Sequence, residues 1–415
     1  VTTHRRSGRA EIGIVGGGPI GLSIAWSCAR RGFDVAVYDD ATPAVDGHAG
    51  PVAAGARDTP WTGRDHVPAA AGGGRAAVGG VHGAWEVAAG MLAPIGEAYF
   101  GETELTALLV DSAARWPAFA AELAAAAGTG VGYRSEGTLA VALTADDLAA
   151  ATRLITYQRD LGLAVEPLTP SAMRAHEPVL SPRVRGGALI SGDHQVDPRR
   201  MTAALRIAAA RAGVRFVRRR VADVSEVYAD RVVVAAGCGT AALTGLPVRP
   251  VRGEVLRLRA PHREPGFTHV IRGYADGREV YLVPRRDGEV VVGATAHERA
   301  DDDVTAGAVL ELLRAAAGLI PEIEEYALVE AQSGARPGSP DNRPVLGHWT
   351  AGSREVVVAA GHYRHGILLT PVTADLITTL LLDGTAPPDA FAAARFADRR
   401  RDSRNGGRRA RDGER

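Results

Sequence analysis

Lysine is absent from this chain; all 48 basic residues are arginine. They are matched by 48 acidic residues, a formal charge of +0, so no net field draws the chain to nucleic acid or to an anionic membrane surface. The missing lysines, beside abundant alanine and glycine, read as a coding bias, and an arginine is correspondingly weak evidence for a function. Cysteine is nearly missing. Cys28 and Cys238 alone exclude a disulfide framework or a cysteine metal site and suit a reducing cytosol. Cys28 reads as a small core residue of the first helix. No apolar run reaches the ~18–20 residues of a membrane span. The basic opening VTTHRRSGRA has no apolar segment behind it, unlike a secretory leader. The expected location is therefore cytoplasmic. Hydrophobic residues make up 46% and charged residues 23%, ordinary for a globular protein. A length of 415 residues allows two domains, or one large domain with insertions.

What is present is concentrated in Glu11–Asp40, EIGIVGGGPIGLSIAWSCARRGFDVAVYDD. Ile12, Ile14 and Val15 form an apolar run that stops at three glycines. Helical periodicity follows through Leu22, Ile24 and Ala29, and alternation then resumes at Val35 and Val37. Strand, turn, helix and strand thus enclose G-x-G-x-x-G at Gly16, Gly18 and Gly21. The first glycine permits the turn, the second lets backbone approach a pyrophosphate, and the third lets helix lie on strand. The helix N-terminus offers N–H groups and a positive dipole end to phosphate. Asp39, closing the second strand, is placed to grip ribose hydroxyls. An acid there favours an unphosphorylated ribose, hence NAD or FAD over NADP.

Pattern vanishes from residue 41 to about 82, a stretch of proline, glycine and scattered charge that reads as a disordered insertion. Helices are expected at Thr103–Ala127, from Ala145 to about Leu161 behind a Thr144 cap, from Pro198 to Ala212, at Val304–Leu319, and from about Pro371 to Leu382. Strands are expected at Gly137–Leu143, Ala188–Ser191, Val214–Val217, Val221–Val227, Arg231–Gly237, near Tyr326–Gln332 and at Glu355–Ala359. Between Val251 and Thr295, short strands joined by Gly, Asp and Pro turns suggest an antiparallel sheet. The last residues are arginine-rich and read as a solvated tail.

Four segments carry a family resemblance: the glycine fingerprint, AAGMLAP at Ala88–Pro94, ARPGSPDNRPVLG at Ala335–Gly347, and GHYRHGILLTP at Gly361–Pro371. Weaker support comes from VRGE at Val251–Glu254, VYLVPR at Val280–Arg285 and VVGAT at Val291–Thr295. In this order they resemble the D-amino-acid-oxidase-like FAD oxidoreductases, most closely the glycine oxidase type of thiamine biosynthesis. The resemblance covers nearly the whole chain outside the ends and the insertion. It implies an α/β plus α+β fold: a discontinuous Rossmann-like FAD-binding domain with an inserted substrate domain on a mixed, largely antiparallel sheet. Residues 11–132, 185–248 and 333–395 are assigned to the first domain, 133–184 and 249–332 to the second, and 1–10 and 396–415 to disordered tails.

The resemblance also implies chemistry: oxidation of glycine, or small amines such as sarcosine or D-alanine, by noncovalent FAD with release of hydrogen peroxide. One alternative of the same fold is a dehydrogenase that passes electrons to a carrier; alternatives of other classes are a flavin-binding protein without turnover and a nicotinamide dehydrogenase. The partners implied are a small amino acid and O2, without nucleic acid or a membrane span, and the assembly is a homotetramer. FAD is expected on Gly16, Gly18, Pro19, Ile20, Gly21, Asp39, Ala89, Gly90, Met91, Gly237, Gly361, His362, Arg364, His365, Gly366, Ile367 and Leu368. Arg336 falls where relatives place a carboxylate-binding arginine, whose planar fork makes two parallel bonds to a carboxylate. Tyr281 matches the second carboxylate donor, Arg364 is expected near the flavin, and Met91 beside its ring. Two departures stand out. The insertion separates Asp39 from AAGML, and Ala296 stands where relatives of the glycine oxidase type carry methionine, leaving more room. No metal site is expected, since His362 and His365 have no third ligand.

Overall fold

The computed structural model describes residues 10–40, 77–80, 83–275, 277–298 and 301–397. Among these residues the strands form two large sheets and one short pair. A six-stranded sheet runs Val345–Ala351, Arg354–Ala360, Arg231–Val234, Glu11–Val15, Asp34–Asp39, Arg215–Arg218. All its pairings are parallel except that between Val345–Ala351 and Arg354–Ala360. Its central strands are nearly continuous valine and isoleucine, as expected where both faces are covered. Ile12, Ile14, Val37 and Val233 are fully buried. Helices Pro19–Arg30, Pro198–Arg211 and Thr370–Asp383 contribute Leu22, Ile24, Leu205 and Ile377 to the core on one face.

The second sheet has nine strands in the order Ala77–Gly80, Ala327–Gly338, Arg249–Arg259, Glu289–Gly293, Arg278–Pro284, Val270–Ala275, Thr138–Ala142, Gly186–Ile190, Glu166–Leu168. Pairing is antiparallel apart from Val270–Ala275 with Thr138–Ala142 and Ala327–Gly338 with Ala77–Gly80. Helix Ala306–Leu319 sends Leu312, Ala316 and Leu319 into the core of this sheet beside Leu256, Leu282 and Val292.

The long helix Thr103–Ala127 buries Leu105, Leu108, Leu109, Ser112, Trp116, Ala120, Leu123 and Ala127, an i+3/i+4 series. It ends at Gly128 with a left-handed φ of 67°. Thr144 caps the next helix, its Oγ1 accepting from Asp147 N at 3.1 Å while Thr144 N donates back to Asp147 Oδ2 at 3.1 Å. Such a cap contributes about 1 kcal/mol.

Five expectations need correction. Val221–Val227 forms no strand; Asp223 accepts from Ser225 N at 2.8 Å and turns the chain into a short 3-10 segment, Val224–Glu226. Gly186–Ile190 pairs with Thr138–Ala142 in the nine-stranded sheet, so a domain boundary at residue 185 is misplaced. Ala327–Gly338 is one strand running past residue 332 because it keeps Arg249–Arg259 as partner throughout. Within the stretch read as disordered insertion, Ala77–Gly80 is a strand beside Glu330–Ser333; residues 41–76 and 81–82 lie outside the described residues, as do 1–9 and 398–415. Phe396 is buried and closes a 3-10 turn, so order extends past residue 395.

Candidate active site

A groove of about 1200 Å³ runs from the glycine turn, past the strand ends of the six-stranded sheet, to the face of the nine-stranded one. Gly16, Gly18, Pro19, Ile20 and Asp39 line one end. Gly16 adopts φ +114°, and a Cβ there would sit 2.7 Å from the Ala235 carbonyl carbon, so only glycine fits. Gly18 caps the first helix with no side-chain hydrogen bond, which leaves its N-terminus open toward the groove. Asp39 Oδ2 accepts from Gly17 N at 2.6 Å, fixing the carboxylate at the turn. Gly21 does not line the groove. A Cβ on it would strike the Gly16 carbonyl, so it serves the contact of helix with strand.

Ala89, Gly90, Met91 and Gly237 line the middle. Gly90 has φ +78° and lies against Val196 and Pro198, 2.7 Å from a built Cβ to Pro198 Cδ. The loop carrying these residues is tied down by Arg285, which donates to the Ala89 carbonyl, to Gln195 Oε1 at 2.8 Å and to Val196 O at 3.1 Å.

His362, Arg364, His365, Gly366, Ile367 and Leu368 line the wall opposite; Gly361 makes the turn just behind them. The long apolar helix begins only at Thr370. In the turn before it, no backbone hydrogen bond among the described residues uses the N–H groups of Gly366, Ile367 and Leu368. These residues, rather than a helix start, line the groove. The turn is braced from behind, since Ser112 Oγ and Trp116 Nε1 both donate to the Leu368 carbonyl, at 2.6 and 2.8 Å. His362 is buried and bonded to Thr373 Oγ1 at 3.0 Å. Burial pushes its pKa down to about 3, so it is neutral. His365 is also buried and shifted down by burial.

Arg336 and Tyr281 meet at the far end. Arg336 pairs with Val251 in the sheet, and its Nη1 donates to Thr295 O at 3.2 Å and Arg252 O at 3.4 Å. Its Nη2 has no hydrogen bond among the described residues. The guanidinium lies flat on Gly253, where a Cβ would be 2.6 Å from Nη2. Tyr281 lies across Gly293 in the same way, with 2.7 Å from a built Cβ to its ring edge. Burial raises the Tyr281 phenol, and the charges of Arg336, Glu97 and Arg364 all act on it. Arg364 is half-exposed, 4.0 Å from Glu279. Ala296 lines the groove beside Thr295.

Several lining residues escaped sequence reasoning. Arg272 and Glu97 form a buried pair at 2.7 Å. Arg206, on helix Pro198–Arg211, lines the end near Asp39, with Nε buried and lacking a partner among the described residues. Trp85 lies against Gly18 at about van der Waals distance. Glu97 carried a signal, being the acid that follows AAGMLAP; Arg272 and Arg206 carried none among so many arginines.

A family model described as FAD dependent oxidoreductase matches residues 11–380. The chain is 32% identical over 399 residues to a glycine oxidase of Geobacillus kaustophilus, covering 90% of this chain and 93% of that one. The crystal structure of glycine oxidase from Geobacillus kaustophilus superposes with a TM-score of 0.76 at 31% identity, covering 93% of this chain and 99% of that one. A bifunctional protein ThiO/ThiG of Synechocystis is 33% identical over 331 residues, but the match takes in only 48% of that protein. Hydrogen cyanide synthase subunit HcnC of Pseudomonas aeruginosa is 29% identical over 422 residues, covering 93% of this chain and 96% of that one. With the glycine turn, the open helix end and the acid of the second strand meeting in one groove, and with the family pattern spanning residues 11–380, the chain belongs to the FAD-dependent oxidoreductase family.

Proposed function

We propose that this protein is an amino-acid oxidase that converts glycine, and small amines such as sarcosine or D-alanine, to the imine and on to glyoxylate, in the thiazole branch of thiamine biosynthesis. One observation carries the reading. Arg336 and Tyr281 both line the groove that starts at the glycine turn, and Arg336 Nη2 has no hydrogen bond among the described residues. The likeness to glycine oxidase and to ThiO/ThiG supports it. We further assign the two sheets to two domains, dinucleotide-binding and substrate-binding, and the location to the cytoplasm; no described helix is long and apolar enough to cross a membrane.

The residues present fit FAD. Gly16–Ile20 and the open helix end would hold the pyrophosphate, Asp39 the ribose, and the unused N–H groups of Gly366–Leu368 the pyrimidine side of the ring. Cys238 Sγ lies 3.6 Å from the Ala335 carbonyl, and burial lifts its thiol to about 11, which favours the noncovalent FAD proposed here. Bound FAD would supply the acceptor for a hydride from the substrate Cα and the route by which two electrons reach O2 as H2O2. The chain itself supplies orientation. Arg336 binds the substrate carboxylate through Nη2, Tyr281 donates its hydroxyl to the same group, and Gly253 and Gly293 let both side chains lie flat against the sheet.

Purified yellow protein releases peroxide with glycine in air, and Arg336→Ala loses that activity. Removing a desolvated charged partner costs roughly 2–5 kcal/mol. An unchanged rate in this variant, or flavin left unbleached by glycine, sarcosine and D-alanine, overturns the assignment. The likeness to HcnC favours a second reading, transfer to a carrier instead of oxygen. Anaerobic reduction by glycine followed by air separates the two, since slow reoxidation supports the carrier.

A further inference from the structure

The arginine clamp accounts for one end of a zwitterion, and the opposite side of the same pocket is also built. The loop from Ala93 to Ala98 is pinned by Asp193, which accepts from Ile95 N and Gly96 N, both at 3.0 Å. Gly96 has no room for a side chain, with 2.6 Å from a built Cβ to Asp193 Oδ2 and 3.3 Å to Arg272 Nη1. Next in sequence is Glu97, 9% exposed, whose Oε1 accepts from Arg272 Nη1 at 2.7 Å. Its other oxygen, Oε2, is buried and has no hydrogen-bond partner among the described residues. Glu97 and Arg272 both line the groove. A buried carboxylate oxygen without a donor is costly, and a carboxylate whose role were only to pair Arg272 would be expected to use both oxygens. Burial opposes ionisation of Glu97, but the charges of Arg272, His365 and Arg364, with the Arg272 hydrogen bond, outweigh it and hold the carboxyl below its ordinary range. The group is an anion on a residue that lines the groove.

Resting on the oxidase reading above, we infer that Glu97 receives the substrate's nitrogen: Oε2 accepts an amine N–H while Arg336 and Tyr281 hold the carboxylate. Arg272 and Asp193 act through it as positioning residues. The ligand class selected is a small carboxylate with an N–H-bearing amine on the adjacent carbon, over the same carboxylate without nitrogen. Only the position and charge of one oxygen are involved; no bond is made or broken at Glu97.

The test compares wild-type and Glu97→Gln holoproteins, with acetate binding read from the flavin absorbance spectrum and glycine oxidation resolved into KM and kcat. The expected result is an acetate Kd within twofold of wild type and a glycine KM raised at least tenfold. Parallel loss of acetate and glycine marks a structural role and overturns the inference alone, as does a glycine KM within twofold beside normal acetate binding. A wild-type spectrum that ignores acetate overturns the clamp itself and this inference with it. Should Glu97→Gln fail to retain FAD, Glu97→Asp, which keeps the charge but withdraws the oxygen, gives the same comparison with the same outcomes.

Discussion

Replacing Gly253 with alanine strikes at the seat of the clamp. The residue lies under the Arg336 guanidinium, and an added Cβ would fall within 2.6 Å of Nη2 and of the Thr295 carbonyl oxygen, and closer still to Nη1. Its backbone is in a conformation open to alanine, so only space is at stake. Backbone at Thr295 cannot yield easily, because Thr295 Oγ1 is bonded to Glu254 on both its main-chain N–H and its carboxylate. The side chain that can move is Arg336, lifted off the sheet and away from the carbonyls of Thr295 and Arg252. A displacement of ~1 Å in a positioning group costs on the order of 10²-fold in rate, which is about 2.7 kcal/mol at ~1.36 kcal/mol per tenfold. Fold stability suffers as well, because moving Arg336 leaves the Thr295 carbonyl oxygen, a backbone atom, 2.6 Å from the built Cβ; the overpacking cost expected is roughly 1–3 kcal/mol. The assay is kcat/KM for glycine alongside FAD content and melting temperature. Full flavin occupancy with kcat/KM within twofold of wild type would refute the geometry on which the clamp rests.

Arg206→Ala weakens FAD without weakening the fold. Loss of a charge-assisted contact of about 1.5–3 kcal/mol raises the FAD Kd roughly 10–100-fold by fluorescence titration, while the apoprotein melts no lower; an unchanged Kd refutes a role at the adenosine end. Trp116→Phe removes one of the two donors on the Leu368 carbonyl and costs about 1 kcal/mol, with a shifted flavin spectrum; an unshifted spectrum at normal occupancy refutes the bracing. Asp193 gives a pH signature. Burial lifts its carboxyl to about 7, against an unfolded value of about 3.9, so the native state keeps a proton that the unfolded chain releases. Its contribution is full below about pH 4, falls as pH rises to about 7 and is level above that. Asp193→Asn flattens that decline in urea unfolding across the window, and an unaltered slope excludes Asp193 as its source.

The glycine turn, Asp39 and the helix Thr103–Ala127 were legible because local periodicity and one fixed backbone need identify them. Arg336, Tyr281 and the Gly361–Gly366 turn were legible only as members of recognisable motifs. Their seats, Gly253 and Gly293, have meaning only once strands from distant parts of the chain lie side by side. The alternation of Val221–Val227 imitates a strand, yet the Asp223 turn overrides it, a choice made by one side-chain hydrogen bond. Arg272 and Glu97 are separated by 175 positions, and nothing short of the folded nine-stranded sheet brings them together. The register of Gly186–Ile190 is likewise a tertiary outcome, since its short apolar run fits either sheet.

The grip of Ser112 and Trp116 on a single peptide oxygen has an engineering consequence. Whoever transplants Gly361–Pro371 into a relative, or redesigns it for a bulkier ring or a different acceptor, must carry along two side chains from a helix some 250 positions earlier. Left without those struts, the grafted segment would be free to rotate its amides away from the cofactor, and a sequence correct in every letter would arrive with its donors aimed at the wrong place.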